Sequence, residues 1–330
     1  MTFERWAAPA PGAPARWLGA PDPELGPDDL LVAVEAAVVG PPEALALDLA
    51  AGRAPGGAAV GRVAAAGAAA AHRVGERVLV GPVRPCFECD VCRRGHPAVC
   101  PARLRLGLDV DGALASHVVA RARATTGLTG PLDGVLPGPE AALLPREAAL
   151  AYDMAVRAGL APGDVAIWLG SGPIARLGAA VTRALGAATF VPTAEELALS
   201  PRDCATAVGE RLRAAGATLP PRVFEVSARA VGRERAAALA GPGATLVLLA
   251  ASAAGSPDAA ALPAALLDGD VAVVGVAGAH PDLLPELAAL VARGELDLAG
   301  VAPVRPWTDV PAIVAELRAG VTDAALVARG

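Results

Sequence analysis

The 330-residue chain contains no lysine, no asparagine and no glutamine, and its aromatic residues amount to four Phe, four Trp and one Tyr. All 28 cationic residues are therefore arginine, and the 34 acids outnumber them to give a formal net charge of -6. That balance argues against a dedicated nucleic-acid surface. Long apolar runs are missing as well. The best candidate, residues 259–279, is interrupted by Pro263, Asp268 and Asp270, whereas a membrane helix needs about 18 or more uninterrupted apolar residues. The 54% hydrophobic content is largely Ala and Val, a composition bias rather than membrane character. Near the N-terminus, Glu4 and Arg5 precede Pro9, Pro11 and Pro14, with no apolar stretch of the signal-peptide type. A cytoplasmic location is expected. Cysteine is scarce and unevenly spread: four of five lie between Cys86 and Cys100, and Cys204 stands alone. In a large chain otherwise poor in cysteine, such clustering points to metal ligands before disulfides.

The length suggests about two domains, and no fixed-period repeat or low-complexity linker separates them. The first 140 residues are rich in Gly and Pro and carry short strand-like runs at 30–34 (LLVAV), 77–80 (RVLV) and 116–119 (SHVV). From about residue 141 the pattern changes. Strand-like runs at 165–169, 189–191, 223–226, 245–249 and 271–276 alternate with helical stretches at 174–185, 203–215 and 232–240. Such alternation indicates βαβ units and a parallel sheet. A last segment carries a strand-like run at 301–304, a helix at 310–319 and a strand at 325–327.

The strongest motif is Cys86-x2-Cys89-x2-Cys92-x7-Cys100. Four thiolates complete a tetrahedral zinc shell with no open position, which makes a structural and not a catalytic site. Pro85, Gly95, Pro97 and Pro101 shape the turns, and Arg93 and Arg94 offset thiolate charge. Two alternatives stay open: an iron-sulfur cluster, and four free thiols that share no ligand. The second motif, Gly170-Ser171-Gly172-Pro173-Ile174-Ala175, follows the strand VAIWL and precedes a helix. It suits a dinucleotide pyrophosphate: a tight turn, a second glycine for close approach, a small third position, and helix amides facing the phosphates. The acid that would hold the adenosine ribose is missing, since residues 192–194 read Pro-Thr-Ala and Glu195 and Glu196 lie beyond them. A fold kept for its shape, with little cofactor affinity, is the alternative.

These residues resemble the zinc-containing medium-chain alcohol dehydrogenase family. The cysteine lobe, the run Asp111-Gly112-Ala113-Leu114-Ala115-Ser116-His117, Gly163-Asp164, the GSGPIA turn and the stretch Val223-Phe224-Glu225-Val226-Ser227 stand in that family's order. The branch most similar is that of 6-hydroxycyclohex-1-ene-1-carbonyl-CoA dehydrogenases, through 115–118, 156–160 and Cys89-Asp90-Val91-Cys92. The resemblance implies an α/β fold. A GroES-like β-rich domain over 1–140, bearing the structural zinc lobe and completed by 299–330, would join a Rossmann doubly wound parallel sheet over 141–298. It also implies one structural Zn per chain on Cys86, Cys89, Cys92 and Cys100. NAD or NADP would bind at Gly170, Gly172, Pro173, Ile174 and Ala175. The partners implied are a small-molecule substrate and a homodimer or homotetramer, or a hetero-oligomer with an active paralogue, with no nucleic acid and no membrane.

The departures from the family are concentrated where its catalytic zinc sits. The three aligned ligand positions hold Gly40, Gly57 and Arg146; the Glu after the family's zinc His becomes Ala58, and the proton-relaying Thr or Ser becomes Pro42. None of these binds zinc in the ordinary way. His72, His96, His117 and His280 read as surface or packing residues, and Cys204 as a buried thiol. Glu43, Asp48 and Glu147 are close in sequence, but carboxylates alone favour harder ions. Arg146 is either an anion-binding residue, for a carboxylate or a CoA phosphate, or an ordinary surface arginine. Three functions follow. One is NAD(P)-linked hydride transfer on an alcohol, ketone or CoA-linked cyclic substrate without the usual catalytic zinc, Arg146 or Tyr152 acting as the polarising group. The others are a non-catalytic homologue retaining fold and structural zinc, and a zinc-independent NADPH enone or quinone reductase. The last is disfavoured by the cysteine lobe.

Overall fold

The computed structural model describes residues 3–10, 12–49, 52–128, 136, 138–217, 220–227, 229–249, 266 and 268–329. Residues 259–265 and 267 of the apolar run at 259–279 lie outside them. The chain divides into two units, Met1–Ala149 with His280–Gly330, and Leu150–Ala279.

The first unit begins with a hairpin, β1 (Phe3–Ala7) and β2 (Arg16–Ala20). Then comes β3 (Asp29–Val39), an 11-residue strand of almost unbroken apolar sequence that is buried nearly throughout. Burial on both sides is what such a sequence demands. It is the spine of a seven-stranded sheet. After the helix Pro41–Leu49, β4 (Ala59–Ala66) pairs antiparallel with β3 and with β5 (Arg77–Val80). The two-residue strands β6 (Val83–Arg84) and β7 (Leu104–Arg105) close the base of the cysteine lobe. Next, β8 (His117–Arg121) pairs with the first half of β3, and β9 (Thr125–Gly127) with β5. A 3-10 turn, Pro139–Leu143, and a single π turn, Leu144–Ala148, then pack against β3, β4, β5 and the last strand of the chain. Those contacts put residues 141–149 with the first unit, nine residues beyond the boundary expected at 140.

The second unit is a five-stranded parallel sheet: β10 (Val165–Leu169), β11 (Ala188–Phe190), β12 (Arg222–Glu225), β13 (Thr245–Leu249) and β14 (Ala272–Val276). Its spatial order is β11-β10-β12-β13-β14. Among the described residues no strand lies between β11 and β12, only the helices Ala194–Ala198 and Pro201–Ala214. The sheet therefore has a doubly wound order with its turning point beside β10, without the third strand of a six-stranded dinucleotide fold. Trp168 and Phe224, paired across β10 and β12, stack at 4.3 Å in nearly parallel planes and are fully buried. The helix Pro173–Ala184 passes over this pair at Gly178, where a Cβ would lie only 2.4 Å from the Trp168 ring.

The chain then returns to the first unit at His280, earlier than the expected 299, because the helix Leu284–Ala292 packs on the π turn. The strand expected at 301–304 forms instead as β15 (Val304–Pro306), and β16 (Ala325–Ala328) completes the first sheet against the second half of β3. Between these strands, Val310–Arg318 packs on Pro41–Leu49, so Val310, Ile313 and Val314 join one core with Ala44 and Leu47.

Candidate functional site

Gly40, Gly57 and Arg146 meet around one carboxylate, that of Glu43. Gly40 precedes the helix Pro41–Leu49, and Glu43 in its first turn accepts a 2.8 Å hydrogen bond from the Gly40 N–H through Oε2. An acid three residues into a helix that turns back to the capping residue is half of a capping box. Its other oxygen, Oε1, accepts from the Gly57 N–H at 3.2 Å, 14 residues away. Arg146, presented by the π turn, donates Nη1 to Glu43 Oε1 and Nη2 to Glu43 Oε2 at 3.3 Å. Its Nε reaches Glu147 Oε1 at 2.7 Å, and Nη2 lies 2.6 Å from the same oxygen. A Cβ on Gly57 would lie 3.2 Å from Arg146 Nη1, so the guanidinium fills the space beside that glycine.

Arg146 is therefore not a surface arginine. Only 14% of its side chain is exposed, with 2% for Glu43 and 5% for Glu147. The anions it binds are the chain's own. Burial disfavours the arginine charge, but the Glu147 and Glu43 carboxylates outweigh it and raise the pKa further above its usual value. Burial pushes the Glu147 carboxyl up, and Arg146 pulls it back only in part. Two carboxylates share one cation here, and Glu147 Oε2 is buried without a hydrogen-bond donor among the described residues. Gly, Gly and Arg supply no zinc ligand atom, and a fixed cation occupies the centre. Zinc coordination does not fit these residues. Nor can Arg146 exchange protons near neutrality, and nearly all its donors are committed. The sequence places Glu43 and Glu147 nearby without showing that both grip Arg146; the capping-box spacing from Gly40 to Glu43 is the readable part of that signal.

The cysteine lobe is a second centre. Cys86, Cys89, Cys92 and Cys100 bring their Sγ atoms within 4.8 Å of one another, the only such group of potential metal ligands among the described residues. Individual separations are 4.0 Å for Cys86 to Cys92, 3.9 Å for Cys89 to Cys100 and 3.5 Å for Cys100 to Cys86. Four sulfurs at about 2.3 Å from a zinc ion would stand roughly 3.8 Å apart, so the donor set fits that ion. N–H groups of Glu88 and Cys89 point at Cys86 Sγ and lower its pKa to about 6, while burial pushes Cys92 up to about 12. Phe87 takes a left-handed backbone, φ 62°, and Arg123 lies 4.6 Å over its ring.

In the second unit the turn from Gly170 to Ala175 stands at the C-terminal end of β10, beside the end of β12. Gly170 has φ 148°, and a Cβ there would lie 2.8 Å from Val226 Cγ2 and 3.7 Å from the Ser227 nitrogen. Only glycine fits, and the turn marks the point where the sheet order reverses, the usual ligand crevice of open parallel sheets. Gly172 precedes the helix Pro173–Ala184 with no side-chain cap. Pro173 has no N–H and Ala175 N is bonded to Gly172 O, which leaves the Ile174 N–H among the first amides for an anion. No acid stands at the end of β11, where residues 191–194 read Val-Pro-Thr-Ala. Thr193 caps the next helix in a full capping box with Glu196, whose carboxylate also takes 3.0 Å from Arg211. Glu195 is exposed on the same helix.

Elsewhere, Cys204 is a fully buried free thiol. Asp48 pairs at the surface with Arg318. His72 and His96 are exposed, His280 caps a 3-10 turn, and His117 packs against Phe3.

Residues 26–129 match the profile of the alcohol dehydrogenase GroES-like domain. Over 118 residues the chain is 34% identical to 2-dehydro-3-deoxy-L-galactonate 5-dehydrogenase of Pseudoalteromonas atlantica, covering 36% of this chain and 33% of that protein. Over 142 residues it is 32% identical to L-threonine 3-dehydrogenase of Stenotrophomonas maltophilia, covering 41% and 38%. The chain thus spans little more than a third of the length of the curated relatives it matches. A cobalt- and zinc-bound thermostable alcohol dehydrogenase from Pyrobaculum aerophilum superposes with a TM-score of 0.80 over 99% of this chain and 100% of that one, at 22% identity. At that identity the likeness is one of fold: a GroES-like domain with a parallel Rossmann-type sheet. No helix among the described residues is long and apolar enough to cross a membrane.

Proposed function

We propose that this chain is an oxidoreductase of the zinc-containing medium-chain alcohol dehydrogenase family that has given up the catalytic zinc and kept the structural one. Its reaction is NAD(P)-linked hydride transfer on a small alcohol or ketone, with CoA-linked cyclic substrates as the finer expectation. The observation that carries the proposal is the Gly170 turn, held by φ and by Val226 at the reversal point of a parallel sheet. Cys86, Cys89, Cys92 and Cys100 would hold one zinc per chain, closed to substrate and serving to fold the lobe. Where a second zinc would bind, Arg146 supplies positive charge between Glu43 and Glu147. A guanidinium can stabilise a developing alkoxide through hydrogen bonds, as oxyanion donors do, but it does not act as a proton carrier. Burial raises the Glu147 carboxyl, which makes it the titratable member of the cluster. A cytoplasmic homodimer or homotetramer completes the proposal.

A second reading, a non-catalytic homologue that keeps fold and structural zinc, is favoured by two observations: Arg146 is already committed to two internal carboxylates, and Glu196 to a capping box and Arg211. Calorimetric titration with NADH and NADPH separates the two. Saturable binding near about 10 μM by either cofactor supports the oxidoreductase. Absence of binding at millimolar cofactor removes it and leaves the non-catalytic reading.

A further inference from the structure

The cysteine lobe sets reachable sulfur beside protected sulfur. Cys86 and Cys89 are half-buried, whereas Cys92 and Cys100 are buried, Cys100 completely. Cys86 and Cys100 are one of each kind, and their Sγ atoms stand 3.5 Å apart, closer than Cys89 to Cys100 at 3.9 Å or Cys86 to Cys92 at 4.0 Å. A disulfide holds its sulfurs at about 2.05 Å, so joining this pair needs a shift of roughly 1.5 Å. An accessible sulfur with a second one at hand is the arrangement that oxidises reversibly, because the sulfenic acid formed on the first is captured before further oxygen is added. Cys204, by contrast, is fully buried in the core of the other unit.

Little besides the four sulfurs holds the lobe closed. Its base is the two-residue pairing of β6 with β7, and above that stand one helical turn, Asp90–Arg93, and one 3-10 turn, Pro97–Val99. No residue from 83 to 105 joins the hydrophobic core of the first unit, and Val99 and Leu104 are exposed. Phe87, next to Cys86, is held in the left-handed region at φ 62°, which is unfavourable for a residue with a ring side chain. A loop with so few contacts of its own folds on its metal, so the number of thiolates available decides whether it stays closed.

We propose that the lobe is a peroxide-sensitive zinc switch in which Cys86 is the sulfur oxidised first and Cys100 the sulfur that resolves it. The inference rests on the single zinc proposed above and on nothing in the second unit. Hydrogen peroxide is the oxidant. Cys86 Sγ attacks one peroxide oxygen, forming an S–O bond as the O–O bond breaks and hydroxide leaves. Cys100 Sγ then attacks Cys86 Sγ, forming the disulfide and expelling the second oxygen as hydroxide. Two electrons pass from the two sulfurs to the peroxide. Cys89 and Cys92 remain as two ligands where a closed site needs four, so the lobe gives up its metal and Phe87 is free to leave the left-handed region.

Full-length protein, first assayed for bound metal, is treated with excess hydrogen peroxide while a chromophoric chelator reads free zinc. Quenched samples are then mapped by mass spectrometry without reduction; cleavage after Glu88 and Arg93 separates Cys86 from Cys89 and Cys92, and these from Cys100. The expected result is release of about one zinc per chain together with a Cys86–Cys100 disulfide, and rebinding of zinc after dithiothreitol. Trypsin should cut at Arg93 and Arg94 in the oxidised chain and spare them in the zinc-loaded one. Cys204→Ser should behave as the unaltered chain does. Zinc that is present and stays bound in peroxide, zinc loss with the cysteines ending as sulfinic acids, or any disulfide other than Cys86–Cys100 overturns the switch and leaves the zinc site standing. A chain with no zinc before treatment removes both.

Discussion

Replacing Arg146 by Met removes the only cation of the buried cluster while keeping an unbranched apolar side chain. Glu43 would retain the N–H groups of Gly40 and Gly57. Glu147 would lose Arg146, the partner of its Oε1, while its Oε2 already has none. Removing one side of a buried ion pair costs about 3–5 kcal/mol, mostly because the stranded charge stays desolvated. The first unit, Met1–Ala149 with His280–Gly330, falls in the size class where each kcal/mol moves Tm by about 2–4 °C. Arg146→Met should therefore lower the melting transition of that unit by on the order of 10 °C at pH 8. The pH dependence follows from the carboxylates. A carboxyl whose folded pKa is raised destabilises the fold progressively as pH rises through that value, and stops doing so below its unfolded pKa. Glu147 is already shifted upward, and loss of Arg146 moves it further the same way. The deficit should shrink as pH falls from 8 toward about 5 and the stranded Glu147 carboxyl takes up its proton. A double variant, Arg146→Met with Glu147→Met, should recover most of the loss, since well-packed hydrophobic groups of similar volume often replace a buried ion pair without penalty and Glu43 keeps the Gly40 and Gly57 N–H donors. Differential scanning calorimetry at the two pH values reads all of this. A cost below about 1 kcal/mol at pH 8, or a double variant as unstable as the single one, would refute the picture of a buried, mutually dependent cluster.

Metal analysis of purified protein should give about one zinc per chain, as a closed four-cysteine site holds, and Cys92→Ser should lose it together with protease resistance of residues 86–100. Two zinc ions per chain would mean that the Arg146 position accepts metal after all. In the second unit, Gly178→Ala sets a methyl group 2.4 Å from the Trp168 ring; overpacking of this kind costs roughly 1–3 kcal/mol and should shift Trp168 fluorescence as its stacking on Phe224 is disturbed. An unchanged melting curve and emission spectrum would show that the helix can move off the sheet at no cost.

Elements that carry their own periodicity are legible in the amino-acid sequence. The run LLVAV at 30–34 reads as a strand, and β3 continues it to Asp29–Val39. The five strand-like runs between 165 and 276 are the five strands of the parallel sheet. The cysteine spacing needs no tertiary information either, because the four ligands lie within fifteen residues and local turns at Phe87 and Gly95 bring them together. Boundaries are less legible. Residues 141–149 are helical and apolar like the segment that follows, and only their packing on β3, β4 and β16 assigns them to the first unit.

What the sequence determined by itself is chemistry held in short spacings: a four-thiol cluster, a glycine turn between strand and helix, and the absence of zinc-binding side chains at positions 40, 57 and 146. Tertiary structure alone decided how that absence is filled. Glu43 and Arg146 are 103 residues apart, and no local pattern records that a helix start, a loop at Gly57 and a π turn converge on one point. An arginine in a sequence is equally compatible with solvent, an external anion or an internal one. Its role is set by which carboxylates share its low-dielectric surroundings, and that is a property of the folded chain.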